Sequence, residues 1–345
     1  PSYKASAASP YNELERVIVV SVTYGERERL LRQVLDAVRD IGVTKVVVVD
    51  NGAAWPVKSE LTDAYHEFVD VVEMGGNTGS AKGFATGIQR ALDLGAEYVW
   101  LLDDDNRPRS DTLQKLRDAY SEAQASTPRD RLAVLAFRPM HYADLAMGVA
   151  THRINPRVNS LFGFHVLDIP FKIWRRTPWG KPRMRGALPV TVDLDMAPYG
   201  GLLFHRDLVQ SIGLPNADYV VYKEDHELTH NISKKGGRTL LVTAAMLDDI
   251  ESSWNAKARF SNGFIGMLEG DGDFRAYYVM RNGAYFDAIN LRRNTFIFWL
   301  NRTVYMGLLF VFSVMLKKRE RYRLLSGAVA DGLSGRLGVN PRFPL

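Results

Sequence analysis

The chain has 345 residues, 46% hydrophobic and 24% charged, enough for a sizeable core in one large domain or two smaller ones. It holds no cysteine, which excludes disulfides, zinc–thiolate sites and cysteine nucleophiles. The formal net charge of +5 is mild; it suits anionic ligands or an anionic membrane and makes no case for nucleic acid.

The first 16 residues are polar and lack the apolar core of a signal peptide. Val17 to Val22 is a β-branched run that reads as a strand. Glu26 to Arg39 then carries Leu30, Leu31, Val34, Leu35 and Val38 at helical spacing. Lys45 to Val49 reads as a second strand ending at Asp50-Asn51-Gly52, and Val69 to Glu73 as a third ending at Gly75-Gly76-Asn77. Ala81 to Leu94 reads as a helix with Phe84, Ile88, Ala91 and Leu92 inward, and Tyr98 to Leu102 as a fourth strand. Alternating α and β with continuous apolar strands predicts a parallel, doubly wound sheet over residues 15 to about 135. The strand ends then line one edge, where a nucleotide would lie.

The fourth strand runs straight into Asp103-Asp104-Asp105. Three adjacent carboxylates repel one another and gain most from a hard divalent cation shared with substrate phosphates. The plainer alternative is a solvated turn before the helix that begins near Asp111.

Leu132 to Phe137 reads as another strand. Residues 150 to 190 hold Arg153, Arg157, Lys172, Arg175, Arg176, Lys181, Arg183 and Arg185 among prolines and tryptophans, and read as a long loop, either solvated or forming a lid or acceptor groove. Val190 to Met196 alternates as a strand. The turn Pro198-Tyr199-Gly200-Gly201 leads into Leu202 to Phe204, and Arg206 to Ile212 is a short helix. Tyr219 to Tyr222 precedes Glu224-Asp225-His226-Glu227 and a helix through Lys235, stopped by Gly236-Gly237. Thr239 to Thr243 is a strand, followed by Asp248-Asp249. Phe274 to Asn290 and Phe296 to Leu316 read as helices, the second strongly apolar but interrupted by Asn301 and Arg302 and followed by Lys317-Lys318-Arg319. An interfacial helix on an anionic membrane is preferred to plain core packing, and both to a true span.

Gly76 to Gly83 lacks the Gly-Lys-Ser/Thr order of a Walker loop, and Thr23-Tyr24-Gly25-Glu26 replaces the Rossmann glycine fingerprint. A P-loop NTPase and an NAD-dependent dehydrogenase are therefore disfavoured. What remains is a glycine-rich turn whose N–H groups approach a ligand, or one that simply lets a helix pack closely on a sheet. Glu224-Asp225 alone reads as a helix cap; beside the Asp triplet it suggests a division of labour, one acidic site holding a metal and the other deprotonating a hydroxyl. His226 and His230 stand four apart with no third ligand evident and read as ordinary helix residues.

In order along the chain stand Val22-Thr23-Tyr24, Val48-Val49-Asp50-Asn51-Gly52, Gly76 to Phe84, Leu101 to Asp105, Tyr199 to Leu203 and Glu224 to Leu228. This ordered set resembles glycosyltransferase family 2, from about Val17 to Gly237 and more weakly to Gly338. Within it, Tyr277-Tyr278-x-x-Arg281-Asn282 is similar to bacterial rhamnosyl- and galactofuranosyltransferases of cell-surface polysaccharide.

The resemblance implies an α/β GT-A fold: a mostly parallel, Rossmann-like central sheet with flanking helices and a C-terminal helical region. It places a transferase domain over 1–255, with a nucleotide-binding half at about 15–135 and an acceptor half at about 190–255, and the helical region over 256–345. It assigns Thr23, Tyr24 and Asp50 to the nucleoside, and Asn77, Gly79 and Lys82 to the donor diphosphate. Asp103 and Asp105 match metal-binding positions for Mg²⁺ or Mn²⁺, with Asp104 near the donor sugar. Asp225 matches the catalytic base, with Glu224 tuning it, and Tyr199, Gly200 and Gly201 match acceptor positions. Where the family often carries a histidine as third metal ligand, this chain has Asp249, with Asp248 beside it. The implied activity is inverting sugar transfer from dTDP-rhamnose or a UDP-sugar such as UDP-galactofuranose to a glycan or polyprenyl-linked glycan, at the inner face of the cell membrane, with the oligomeric state left open. Two other classes are weighed against it: a non-catalytic nucleotide-sugar or glycan-binding module, and a metal-dependent phosphoryl-transfer or hydrolytic enzyme.

Overall fold

The computed structural model describes residues 16–180, 187–251, 262–270 and 272–345. All but the last of the first 16 residues, Lys181, Arg183 and Arg185, and the expected boundary at 255/256 fall outside the described residues.

The N-terminal half alternates as its apolar pattern predicts. Strand β1 (Val17–Gly25) leads to helix α1 (Glu28–Asp40), β2 (Lys45–Ala53), α2 (Val57–Tyr65), β3 (Val69–Glu73), α3 (Ser80–Asp93) and β4 (Tyr98–Leu101). Then come the short β5 (Asn106–Pro108), α4 (Thr112–Gln124), β6 (Leu132–Phe137), and two short helices, α5 (Ala143–Ala146) and α6 (Ile169–Trp174). Strands β7 (Thr191–Leu194) and β8 (Leu202–His205), helices α7 (Asp207–Ile212) and α8 (Glu224–Lys234), and the long β9 (Arg238–Asp249) complete the sheet region. Four helices follow: α9 (Gly263–Glu269), α10 (Asp273–Asn290), α11 (Thr295–Met315) and α12 (Arg319–Leu333).

The strands hydrogen-bond in the order β3-β2-β1-β4-β8-β6-β9, with β7 and β5 both pairing with β9. Strands β1 to β4 are mutually parallel, as is the β6–β9 pair. Strand β8 enters antiparallel between β4 and β6, so the sheet is mixed beyond β4. A fully buried run such as Leu202 to His205 reads the same in either direction, so its sequence does not reveal this reversal. The expected strand after α8 is longer than Thr239–Thr243 and carries Asp248 and Asp249 within it.

The period-2 alternation of strand side chains sorts the core into two layers. Val17, Val19, Val46 and Val48 face one layer with Leu31, Leu35, Leu61 and Leu116 from α1, α2 and α4. Ile18, Val20, Val47 and Val49 face the other with Phe84, Ile88, Leu228 and Ile232 from α3 and α8. The C-terminal helices build a third core around Tyr278, Phe298, Leu309, Leu325 and Val329, to which Leu161 and Phe164 of the basic segment also contribute. That segment is therefore not wholly a solvated loop: it includes α6 and packs part of its length against α11.

Candidate active site

The carboxyl ends of β1, β2 and β4, the start of α3 and the start of α8 surround one cleft of about 530 Å³. That is within the roughly 300–1,000 Å³ typical of small-ligand sites. Asp103, Asp104 and Asp105 line one side; Tyr199, Glu224 and Asp225 line another; Asn77, Gly79 and Ser80 of the glycine-rich turn close a third. The two acidic segments that are distant in sequence thus open onto the same space.

The triplet is held by guanidinium groups. Asp104 is buried, accepts from Thr23 Oγ1 at 2.9 Å and is gripped by Arg27, whose Nε and Nη2 both lie 2.8 Å from Asp104 Oδ1. Arg27 also reaches Asp105 at 3.3 Å and Glu251 at 2.6 Å. On the other flank Arg138 pairs with Asp249 at 2.8 Å and, more weakly, with Asp103 at 3.5 Å. Asn106 Nδ2 joins Asp105 and Asp249, donating to each at 3.0 Å. Asp103 is the least committed of the four, with 38% of its side chain exposed to the cleft.

Burial pushes Asp103 up to about 6, aided by Asp105, Asp225 and Asp249 and opposed by Arg138. Burial likewise pushes Asp104 up to about 7 against the pull of Arg27. The site therefore carries more negative charge than its arginines fully relieve. Among the described residues no three Asp, Glu or His side chains stand together as a preformed metal cage. Mg²⁺ does not need one: it commonly takes one or two carboxylates and completes its shell with water and substrate phosphate. The hard oxygen donors of Asp103 and Asp105 fit that demand. Asp249 Oδ1 is already shared by Arg138 and Asn106.

At the other acidic site, Glu224 is only 3% exposed. Ser80 Oγ at the start of α3 donates to its Oε1, while Oε2 has no hydrogen-bond partner. Burial and then the charge of Asp225 push its carboxyl up to about 8. Asp225 goes the other way. Burial raises it, but the His226 ring and backbone N–H, both 2.7 Å from Oδ1, and the Lys223 ammonium bring it below the ordinary aspartate value. Two adjacent carboxyls are thereby driven apart in acidity, one kept neutral and one kept ionised. Tyr199 packs at a tilt against Phe84 with ring centroids 4.5 Å apart; its hydroxyl is buried without a partner, and burial raises its pKa.

Several expected site residues lie elsewhere. Lys82 is exposed on α3 and is not among the residues lining the cleft. Asp50 uses Oδ1 to accept from Gly52 N at 3.2 Å and Ala53 N at 2.9 Å, and the cleft wall beside it is Asn51. Asn51 supports the donor turn, accepting from Thr78 N at 2.8 Å and donating to Asn77 at 3.2 Å. Gly200 and Gly201 sit behind the wall. A Cβ on Gly200 would overlap Asn106 Oδ1 and come within 2.6 Å of Arg138 Nη1 and 2.7 Å of Asp103 Oδ2. Tyr24, 40% exposed, lines the cleft with the Arg27 guanidinium 5.2 Å from its ring centroid. Arg27 and Arg138 escape a reading of the sequence because their partners are remote, the Arg27–Asp104 contact spanning 77 positions; Asn106 directly follows the triplet, but its bond to Asp249 spans 143.

A family model described as glycosyl transferase family 2 matches residues 18–133. The galactofuranosyltransferase GlfT1 of Mycolicibacterium smegmatis is 30% identical over 234 residues, which cover 64% of this chain and 67% of that protein. The dTDP-rhamnosyl transferase RfbF of Shigella flexneri is 33% identical over 100 residues, 29% of this chain and 33% of that protein. Among solved structures, S. aureus TarS 1–349 in complex with UDP-GlcNAc matches with a TM-score of 0.50 at 14% identity, over 92% of this chain and 80% of that one. At that identity the likeness speaks for the fold alone.

Proposed function

The chain belongs to glycosyl transferase family 2 and is a glycosyltransferase; on that premise we propose that it transfers a sugar, rhamnose or galactofuranose, from a nucleotide donor to a hydroxyl of a glycan or lipid-linked glycan, with inversion. The donor classes are those named for its relatives, a galactofuranosyltransferase and a dTDP-rhamnosyl transferase. The observation that carries the reading is the convergence of Asp103 to Asp105 and Asp225 on one cleft.

In this mechanism Asp225 is the base. Both its close contacts fall on Oδ1, which leaves Oδ2 to take the acceptor proton. The freed acceptor oxygen attacks the anomeric carbon opposite the departing nucleoside diphosphate, and a single displacement inverts that centre. Asp103 and Asp105 would hold Mg²⁺ or Mn²⁺, which when bound neutralises charge on the leaving diphosphate. Asn77, Gly79 and Ser80 form the wall on the donor side, with Thr23 and Arg27 holding Asp104. Tyr199 and neutral Glu224 face the acceptor side, where a protonated carboxyl next to the base adds no second repelling charge.

The same reading places the enzyme at the inner face of a membrane. Helix α11 is long and apolar enough to cross one, and a third of its most apolar window is buried. One stripe, with Phe296, Trp299, Phe310, Val311 and Val314, is exposed, and exposed Lys317, Lys318 and Arg319 follow it. An amphipathic, cation-flanked helix of this kind suits peripheral docking on anionic lipid. The C-terminal helices build a core of their own, shared only with Leu161, Phe164 and Val220 and their neighbours, which supports a transferase region followed by a helical region.

The test is kinetic. Asp225→Asn is expected to lower kcat by about 100-fold or more while donor affinity, measured by calorimetry, stays nearly constant. Nucleoside diphosphate release by the unaltered enzyme should accelerate when acceptor is added. Near-normal turnover of the Asn variant refutes the base assignment, and acceptor-independent release points to a hydrolase.

A further inference from the structure

Asp225 follows a turn, residues 219–223, in which Val220, Tyr222 and Lys223 take positive φ of 69°, 66° and 74°. Val221 N–H closes on the Tyr219 carbonyl at 2.8 Å, a γ-turn about Val220 of the rare, strained hand. Positive φ at a β-branched residue is an outlier, and such backbone persists only where its surroundings over-determine it.

Helix α10 supplies those surroundings. Asn282 is fully buried, and its Nδ2 donates to the carbonyls of Tyr219, Val221 and Tyr222 at 2.8, 2.7 and 2.9 Å. Arg281, also buried, donates from Nε to Asn282 Oδ1 at 2.8 Å, which turns the amide so that its N–H groups meet the turn. Arg281 Nη2 adds a bond to Tyr219 O at 3.2 Å, and Nη1 binds the Gly338 carbonyl. The guanidinium lies 4.6 Å from the Tyr278 ring centroid. The hydroxyls of Tyr277 and Tyr278 bond Asp331 and the Phe343 carbonyl. The whole Tyr-Tyr-x-x-Arg-Asn run is thus engaged, the tyrosines with α12 and the chain after it, Asn282 with the turn, and Arg281 with both. On its far side the turn meets α3, where Ala81 N–H donates to the Val220 carbonyl at 3.1 Å.

Resting on the reading of Asp225 as the base, we propose that Asn282, oriented by Arg281, is a positioning residue for glycosyl transfer. It holds the strained 219–223 turn so that the Asp225 carboxylate stands where the acceptor hydroxyl arrives. Neither residue lines the cleft, and neither touches substrate in this assignment.

The experiment is a double-mutant cycle. Asn282→Leu keeps the branched outline of the side chain, in a larger group, and removes the donors. It is expected to lower kcat by about tenfold or more, since a small misplacement of a reacting group is costly, with donor Kd changed less than about twofold. In an Asp225→Asn background the same substitution should cost less than about twofold in kcat, because the group it positions is gone. Leu325→Ala, in the same helical core but away from the turn, should lose thermal stability and keep kcat. If Asn282→Leu does not fold, Asn282→Ser, which keeps one donor, is put through the same cycle. Equal losses in both backgrounds, or no loss in either, overturn the proposal while leaving the base intact if Asp225→Asn alone shows its expected loss of about 100-fold. Near-full turnover of Asp225→Asn removes the base reading and this inference with it.

Discussion

Adjacent carboxyls that answer differently to pH are the chief chemical feature at the scale of single residues. Glu224 ionises at an ordinary value of 4.5 when unfolded but holds its proton to about 8 when folded. Between those values the unfolded chain binds fewer protons than the folded one, so this group makes stability fall as pH rises. Glu224→Gln mimics the neutral form and removes that slope. Melting curves should show the variant gaining on the parent chain by a few degrees between about pH 4.5 and 8, with little difference below. Parallel curves across that window would mean Glu224 is ionised in the folded state. The choice of which carboxyl stays charged depends on His226 contacting Asp225 Oδ1 and on the burial of Glu224 beside Ser80. Neither condition is legible in the sequence, where the two acids are merely neighbours and His226 is an ordinary helical residue. The Asp triplet is legible because it interrupts a buried strand; its guanidinium partners are not, since Arg27 and Arg138 meet it only through the fold.

Among the elements, α3 most directly couples packing to ligand. It lies so close to the sheet that a Cβ on Gly87 would come within 2.5 Å of Val20 Cγ1 and 2.9 Å of Val49 Cγ2. Gly87→Ala forces the helix outward and should cost about 1–3 kcal/mol of stability as an overpacked core position. Because the start of α3 carries Gly79 and Ser80 of the cleft, donor affinity should weaken as well, and denaturant unfolding paired with calorimetry reads both. Unchanged values of both would show that the helix has slack. Strands β1, β2 and β4 are legible because their apolar runs leave few alternatives, and β3, though it holds Asp70, by its valines and the glycine turn that follows. Helix α2 is not, because only Val57, Leu61 and Tyr65 are buried, a stripe of single residues within a polar run. Strand β5 is three residues long and exists through its pairing with β9, which nothing local announces.

For the whole molecule, the exposed stripe on α11 bears on where the enzyme works. Phe296 and Met315 at its two ends are 77% and 71% exposed, and with Phe310 and Val311 between them they offer an apolar face that a lipid surface would cover. Sedimentation with anionic vesicles should capture the protein at low salt, and neutral vesicles should capture far less. Replacing Lys317, Lys318 and Arg319 with Gln together should weaken capture by about 100-fold, at about 1 kcal/mol per charge. Equal partitioning onto both vesicle types would remove the electrostatic half of this reading. The grip of α10 on the 219–223 turn has a different implication, for heredity. Chains that trade modules part company where few contacts cross, yet here the turn before Asp225 is held by an amide and a guanidinium encoded some sixty codons downstream. A graft of this sheet onto an unrelated tail would bring the aspartate without the contacts that hold the turn before it.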